Sequence, residues 1–297
     1  MFISIMICTR NRAEKLRRVL NRITSLRVSS GVECEVLVAD NGSTDRTLDV
    51  IREVAAVAPF SVRRIWHPSP GKSDATNRAV TEARGAIIGM LDDDVLPAPD
   101  WLEVISREFL NDPSLTAVCG RVELEDPLDL PVGIRRHADR FAIRTLEDVM
   151  SRCIGCNIAV RRDHVLPGQL FDPNLGPGCG IPSSEDLDFF YRLVRSGKKV
   201  VYVPSLFVHH FHGRRTEIEK QELARAYVIG RGAFYAKFLL QGDVHVLRFA
   251  YWELKGLLRS SHGGEDGQGP RTVAFWLLSG AWRQILVTLR TLIPLRN

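Results

Sequence analysis

The chain has 297 residues, 45% of them hydrophobic and 25% charged, enough for one large or two modest domains around a real core. That composition excludes disorder, collagen and coiled coil. Forty Lys and Arg against 35 Asp and Glu leave a net charge of +5, unevenly spread: residues 1–215 carry 29 basic and 28 acidic side chains, and residues 216–297 carry 11 and 7.

The last stretch, residues 271–297, holds four Arg and no carboxylate, which points to an anionic partner, either a membrane surface or nucleic acid. At the other end, Met1 to Cys8 lack a basic leader and a small-residue cleavage site, so they read as a strand and the expected location is the cytoplasm. No apolar run reaches the roughly 18 residues of a membrane span. The best candidate, Val273 to Trp282, is interrupted by Ser279 and Gly280, so no span is expected. Six scattered Cys fit reduced, buried thiols, and the pair Cys153 and Cys156 has no second pair at zinc-site spacing.

From the N-terminus, short β-branched runs alternate with longer amphipathic segments, the signature of β/α units feeding a mainly parallel sheet. Strands are expected at Phe2–Cys8, Glu35–Ala39, Ser61–Ile65 and Ala86–Leu91, with helices at Ala13–Leu26, Thr44–Val57 and Asp74–Arg84. In such sheets ligands bind beyond the carboxyl ends of the strands, where this chain places Thr9-Arg10-Asn11-Arg12, Asp40 to Asp45 and Asp92-Asp93-Asp94. A less regular half follows, with Gly155-Cys156-Asn157, a glycine-rich stretch at residues 176–180, a helix opening at Ser184-Glu185-Asp186, and a strand, Lys199–Val203, leading to His209-His210-Phe211-His212. From Thr216 onward the pattern is helical, over Ala224–Leu240, Val244–Leu258 and Thr272–Leu292, broken by the loop Ser260–Pro270.

Three consecutive carboxylates after a buried strand are costly, because like charges a few ångströms apart resist joint ionisation unless a cation binds. The run Asp92-Asp93-Asp94 therefore reads as a site of hard oxygen donors for Mn2+ or Mg2+, or else as a solvated acidic turn capping the helix at Asp100–Leu110. In an extended run Asp92 and Asp94 point one way and Asp93 the other. Asp40 can accept hydrogen bonds from a base or ribose, or serve an Asx-turn; no G-x-G-x-x-G accompanies it, which disfavours a dinucleotide cofactor. Gly71-Lys72-Ser73 before a helix can offer N–H groups and an ammonium to a phosphate, or form an ordinary capped turn. Asp186, three residues after Ser183, fits either a general base at a helix N-terminus or the acid of a capping box. The three His within residues 209–212 can supply a metal ligand, a phosphate contact or a polar edge.

Six motifs, in one order, together resemble the family 2 glycosyltransferases with the GT-A fold: Cys-Thr-Arg-Asn-Arg, Val-Ala-Asp-Asn-Gly-Ser-Thr-Asp, Gly-Lys-Ser-Asp-Ala-Thr-Asn-Arg-Ala, Leu-Asp-Asp-Asp, Gly-Cys-Asn-Ile-Ala-Val-Arg-Arg and Ser-Glu-Asp-Leu-Asp-Phe. The resemblance covers residues 1–215. It implies a GT-A catalytic domain there, with a nucleotide-binding half at about residues 1–120 and an acceptor half at about residues 121–215, followed by a helical region at residues 216–297. It implies inverting, Mn2+- or Mg2+-dependent transfer of a sugar from a nucleotide-diphosphate donor, expected to be a UDP-sugar, to an acceptor hydroxyl in polysaccharide or glycolipid assembly. By residue, it assigns Thr9, Arg10, Asn11, Asp40, Lys72 and Asn77 to the nucleotide-sugar pocket together with Asp92 and Asp93, Asp94 to the metal with His210, six residues after Pro204, and Asp186 to the base beside Glu185. Two departures stand out, Thr76 where many relatives have Arg and Cys156 where they often have Gly.

A nucleotidyltransferase and a non-catalytic nucleotide-sugar-binding module are the rival readings. The first loop, Thr9 to Arg12, lacks the glycines that the former needs, and a binding module has little use for a base. The tail, with Trp252, Trp276 and Trp282 among basic and apolar residues, suits an interfacial helix near anionic lipid and a lipid-linked acceptor, or else ordinary helices packing on the catalytic domain or a second subunit. Nucleic acid drops out as a partner, since the only nucleotide the motifs call for is the donor's.

Overall fold

A computed structural model describes residues 1–165, 170–259 and 269–292. The chain divides into two compact units, Met1–Asp172 with Asp186–Gly213, and Pro173–Glu185 with Arg214–Asn297.

The first unit is built on one sheet. Strand β1 (Phe2–Thr9) is nearly all apolar and buried on both faces, as a central parallel strand must be. It is flanked by β2 (Glu33–Asn41) and β4 (Ile87–Asp92), with β3 (Ser61–His67) outside β2, and all three pairings are parallel. Helices α1 (Ala13–Thr24), α2 (Thr47–Ala55) and α3 (Lys72–Glu82) make the crossovers. Alternation within the strands sends Ile3, Ile5 and Ile7 to one face, against α1 and α2, and Met6 to the other, against α3. This half follows the expected order, with boundaries shifted by at most three residues.

After the short β5 (Val95–Pro97) come α4 (Trp101–Asn111), β6 (Leu115–Leu124), β7 (Phe141–Ile143), α5 (Leu146–Arg152), β8 (Asn157–Arg161), α6 (Arg162–Val165), α7 (Glu185–Arg195) and β9 (Lys199–His210). The sheet continues β4-β8-β6-β9-β5, with β8 antiparallel to both neighbours and β7 on β9. The sheet is therefore parallel through its first half and mixed in its second.

Strand β9 is longer than the expected Lys199–Val203, because Pro204 does not end it. The register against β6 slips between Gly120 and Arg121, and Pro204, Ser205 and Leu206 form the bulge. Gly120 accommodates it, since a Cβ there would fall 1.9 Å from the Leu206 carbonyl oxygen. Asn157 locks the bulge, donating to the carbonyls of Leu206 (2.8 Å) and Arg121 (3.1 Å) while accepting from Trp101 Nε1 (2.9 Å). Past the bulge, β9 pairs with β5 so that His210 lies opposite Val95, one residue after Asp94.

In the second unit, α8 (Glu217–Leu240) opens with a capping box between Thr216 and Glu219 and is followed by α9 (His245–Arg259) and α10 (Pro270–Leu292). Helices α8 and α10 meet backbone to backbone at glycines: a Cβ on Gly232 would fall 2.0 Å from the Leu277 carbonyl oxygen, and one on Gly280 1.9 Å from that of Ile229. Arg231 and Tyr235 of α8 both bind Glu253 of α9. The expected loop Ser260–Pro270 lies outside the described residues up to residue 268.

The expectation that no segment is long and apolar enough to span a bilayer needs correction. Ser279 and Gly280 do not interrupt the helix, and Arg271–Thr291, with mean hydropathy 1.2, meets that test by length and composition.

Candidate active site

The carboxyl ends of β1 and β4 are neighbours, Cys8 pairing with Asp92, so the two following loops face each other. Strand β4 stops at Asp92, and Asp93 and Asp94 form a turn rather than the extended run expected, so the alternation of side chains does not hold. Asp92 turns to Lys72 Nζ, 2.7 Å away at the start of α3. Asp93 and Asp94 both turn to Arg12: Nη1 lies 2.8 Å from Asp93 Oδ1 and 3.2 Å from Asp94 Oδ2. The hydroxyl of Thr9 donates to Asp93 Oδ2 at 2.7 Å.

Both of these Asp are only 4% exposed, and Asp100 at the start of α4 makes no side-chain cap, so a solvated capping turn is not what forms. Lys15 Nζ, 3.8 Å from Asp94 Oδ2, adds a second cation, and His210 Nε2 lies 3.2 Å from Asp94 Oδ1.

The electrostatics follow from this wiring. Burial pushes the Asp93 carboxyl above its ordinary range, against the pull of Arg12. Burial acts the same way on Asp94, but the hydrogen bond and charge of His210, with Arg12 and Lys15, outweigh it and hold that carboxyl well below the usual range. The His210 ring is itself buried, and among the described residues its Nδ1 has no hydrogen-bond partner. Among the described residues no group of three or more His, Cys, Asp or Glu side chains is placed to hold a metal. The pair Asp94 and His210 offers one oxygen and one nitrogen donor. That set fits a cation that keeps waters and completes its shell with substrate phosphates.

Of the other residues expected in the nucleotide pocket, Arg10 and Asn11 lie on the exposed loop after β1, where Asn11 adopts a positive φ of 52°. Asn11 knits that loop to the one after β2, accepting from Thr44 N (2.7 Å) and donating its own N–H to Ser43 Oγ (3.0 Å). Asp40 is fully buried, with Arg64 Nε 2.7 Å from Oδ2 and Ser43 N, three residues on, donating to Oδ1 at 2.9 Å, so that its side chain braces the loop after β2. Asn77 clamps the backbone of Phe171 at both its N–H (2.9 Å) and its carbonyl (2.7 Å).

Asp186, near the start of α7, is partly exposed. Its Oδ2 accepts from Gly155 N and its Oδ1 from Leu187 N, both at 2.8 Å. Ser183 donates to the Ala226 carbonyl. A Cβ on Gly155 would lie 3.1 Å from Asp186 Cβ, which is why the smallest residue belongs there. Next to it, Cys156 is buried, and its thiol is pushed well up by burial first and then by the charges of Asp92, Asp94 and Asp186, against Lys72. One buried side chain thus lies within electrostatic reach of the acidic turn, the α3 lysine and the α7 carboxylate.

Residues 4–166 match the family described as Glycosyl transferase family 2. The chain belongs to that family. It is 34% identical over 261 residues to glycosyltransferase AglE of Haloferax volcanii, covering 86% of this chain and 81% of AglE. It is 29% identical to the hyaluronan synthase of Pasteurella multocida over 73% of this chain, and to the pre-mycofactocin glycosyltransferase of Mycobacterium tuberculosis over 78%. The family 2 chain spans only 21% and 47% of those two proteins.

Among solved structures, mannosyltransferase PcManGT of Pyrobaculum calidifontis, in complex with GDP-Man and Mn2+, superposes with TM-score 0.59 at 18% identity, over 99% of this chain and 88% of that one. TarS of S. aureus gives 0.57 at 15%, over 76% and 65%. The fold is the GT-A fold, and the chain shares it with the family 2 glycosyltransferases.

Sequence reasoning passed over Arg12 and Lys15. The signal was available, since buried Asp residues demand counter-charge and the first helix opens with basic residues three apart on the adjacent loop.

Proposed function

We propose that this glycosyltransferase is a metal-dependent, inverting enzyme that moves a sugar from a nucleotide-diphosphate donor to an acceptor hydroxyl. The observation that carries the reading is the buried turn after β4, where Asp94 Oδ1 lies 3.2 Å from His210 Nε2, in a chain of family 2 whose Asp186 is held at the start of α7 by the N–H groups of Gly155 and Leu187. Asp94 and His210 would hold Mn2+ or Mg2+, which when bound supplies positive charge to the departing diphosphate.

Thr9, Arg10 and Asn11, on and just after β1, lie where the nucleotide would rest, with Lys72 and Arg12 as its cations. Asp92 and Asp93 serve that side of the site through those same cations. Asp40 and Asn77 then act indirectly, by fixing the loops that carry the pocket.

Asp186, held by the N–H groups of Gly155 and Leu187, takes the proton from the acceptor oxygen as that oxygen attacks the anomeric carbon from the face opposite the diphosphate. Glu185 is its neighbour on the acceptor side. UDP-sugars are the first donors to try and GDP-sugars the second, with saccharide and lipid-linked acceptors of the kind used in polysaccharide or glycolipid assembly.

The test is incubation of the purified chain with each donor and Mn2+, following nucleoside diphosphate release and the anomeric configuration of the product by NMR. The reading predicts an inverted anomer and loss of turnover on chelation. A retained anomer, or turnover untouched by chelator, contradicts it.

A further inference from the structure

Helix α10 turns Leu277, Gly280 and Gln284 inward and most of its large apolar side chains outward. It meets α8 through Gly280 and the backbone of Leu277, whereas Phe275, Leu278, Trp282, Leu286 and Leu289 are exposed, the first three by 59% or more. At 100° per residue these five fall within about 80° of arc, a single face opposite the α8 contact. A helix partnered only by water would bury such residues and expose polar ones. Small residues at the helix–helix seam with bulky apolar residues facing away is the arrangement found where the surroundings are lipid.

Two further features fix the chemistry of what covers this face. Arg271 and Arg290 are exposed near the two ends of α10, and residues 271–297 contain no carboxylate. On α9, Tyr251 and Trp252 are more than half exposed, and Lys255 Nζ sits 4.6 Å from the Trp252 ring centroid. Aromatic rings beside a lysine match the headgroup boundary of a bilayer. A second copy docked through the same face would bring these like-charged arginines together.

We propose that α10, assisted by the aromatic face of α9, docks the protein onto an anionic phospholipid surface, with Phe275, Leu278 and Trp282 in the acyl boundary and Arg271 and Arg290 among the headgroups. The contact is a surface one, since the opposite side of α10 is spoken for by α8. It is independent of the reaction assigned to the first unit.

The test is flotation of the full chain with phosphatidylcholine vesicles, with and without phosphatidylglycerol. The wild-type protein is expected to float with the anionic vesicles, less at high salt and less with phosphatidylcholine alone. Phe275→Ser with Leu278→Ser and Trp282→Ser should cut partitioning on the order of tenfold or more, and Arg271→Glu with Arg290→Glu should abolish the preference for phosphatidylglycerol.

Wild-type protein left at the bottom of the gradient overturns the proposal. So does a lipid-free dimer that the triple variant dissociates, and so does retention by vesicles through an alkaline carbonate wash, which would make α10 a span. Should the triple variant fail to fold, wild-type tryptophan fluorescence decides: a blue shift on adding anionic vesicles, with quenching by brominated lipid, supports docking, and an unchanged spectrum refutes it.

Discussion

The two carboxylate sites of the first unit are built on opposite plans. At the turn after β4 each acid has a side-chain cation, Asp92 with Lys72, Asp93 with Arg12, and Asp94 with Arg12, Lys15 and His210. At the start of α7, Asp186 is held by two backbone N–H groups and, among the described residues, by no cation. Side-chain cations can swing away, so on the proposed reading Arg12 and Lys15 would give way at the turn to a metal ion and its phosphates. Backbone donors cannot leave. They aim Asp186 without, among the described residues, pairing it to a side-chain cation, which suits the proton acceptor proposed for it.

The sharpest way to break this contrast is Asp186→Asn. It keeps the shape and removes the proposed base, so turnover should fall by about 10²–10⁴-fold while donor affinity stays within a small factor. Steady-state rates with nucleotide titration check both halves.

Gly155→Ala should come next. Its Cβ at 3.1 Å from Asp186 Cβ forces the carboxylate aside by a few tenths of an ångström, for a loss in kcat of roughly tenfold with KM for the donor little changed.

Arg12→Ala probes the other site. It should lower stability by about 1 kcal/mol, a value reduced because Arg12 is partly exposed, and Mn2+ should restore part of it if metal and guanidinium occupy the same charge deficit. Thermal unfolding with and without Mn2+ measures this, and no restoration would break the exchange picture.

The smallest effect calibrates a permanently paired acid. Burial works against ionised Glu35, but Arg84 N–H, the Ser4 hydroxyl and Arg63 outweigh it and set its carboxyl below the ordinary 4.5. A depressed folded-state value stabilises fully above 4.5 and progressively less as pH falls, so Glu35→Gln should flatten the acid limb of melting temperature against pH between there and lower pH.

Much of this was legible in the sequence because it is local. Strand ends, helix starts and the acids beyond them follow from periodicity and turn chemistry, and Asp186 was singled out by its place at a helix N-terminus. What was not legible depends on which elements become neighbours. The pairing of Asp93 and Asp94 with Arg12 appears only once β1 and β4 lie side by side, and the meeting of Asp94 with His210 only once β9 runs through its bulge at Pro204 to pair with β5.

Asp40 and Asn77 add contacts that depend on the fold: Asp40 is engaged by Arg64 and Ser43, and Asn77 by the backbone of Phe171. For α10, hydropathy was read through Ser279 and Gly280 as a break, whereas a glycine within a continuous helix marks a close approach of α8.

The division of labour between the two sites is tested most directly by measuring binding of a nucleoside diphosphate sugar, with and without Mn2+, to the wild-type chain, Asp94→Asn and Asp186→Asn. The account predicts that Mn2+ strengthens binding to the wild-type protein and to Asp186→Asn equally, and leaves Asp94→Asn unaffected. Mn2+-dependent binding that survives in Asp94→Asn, or that disappears in Asp186→Asn, would contradict it.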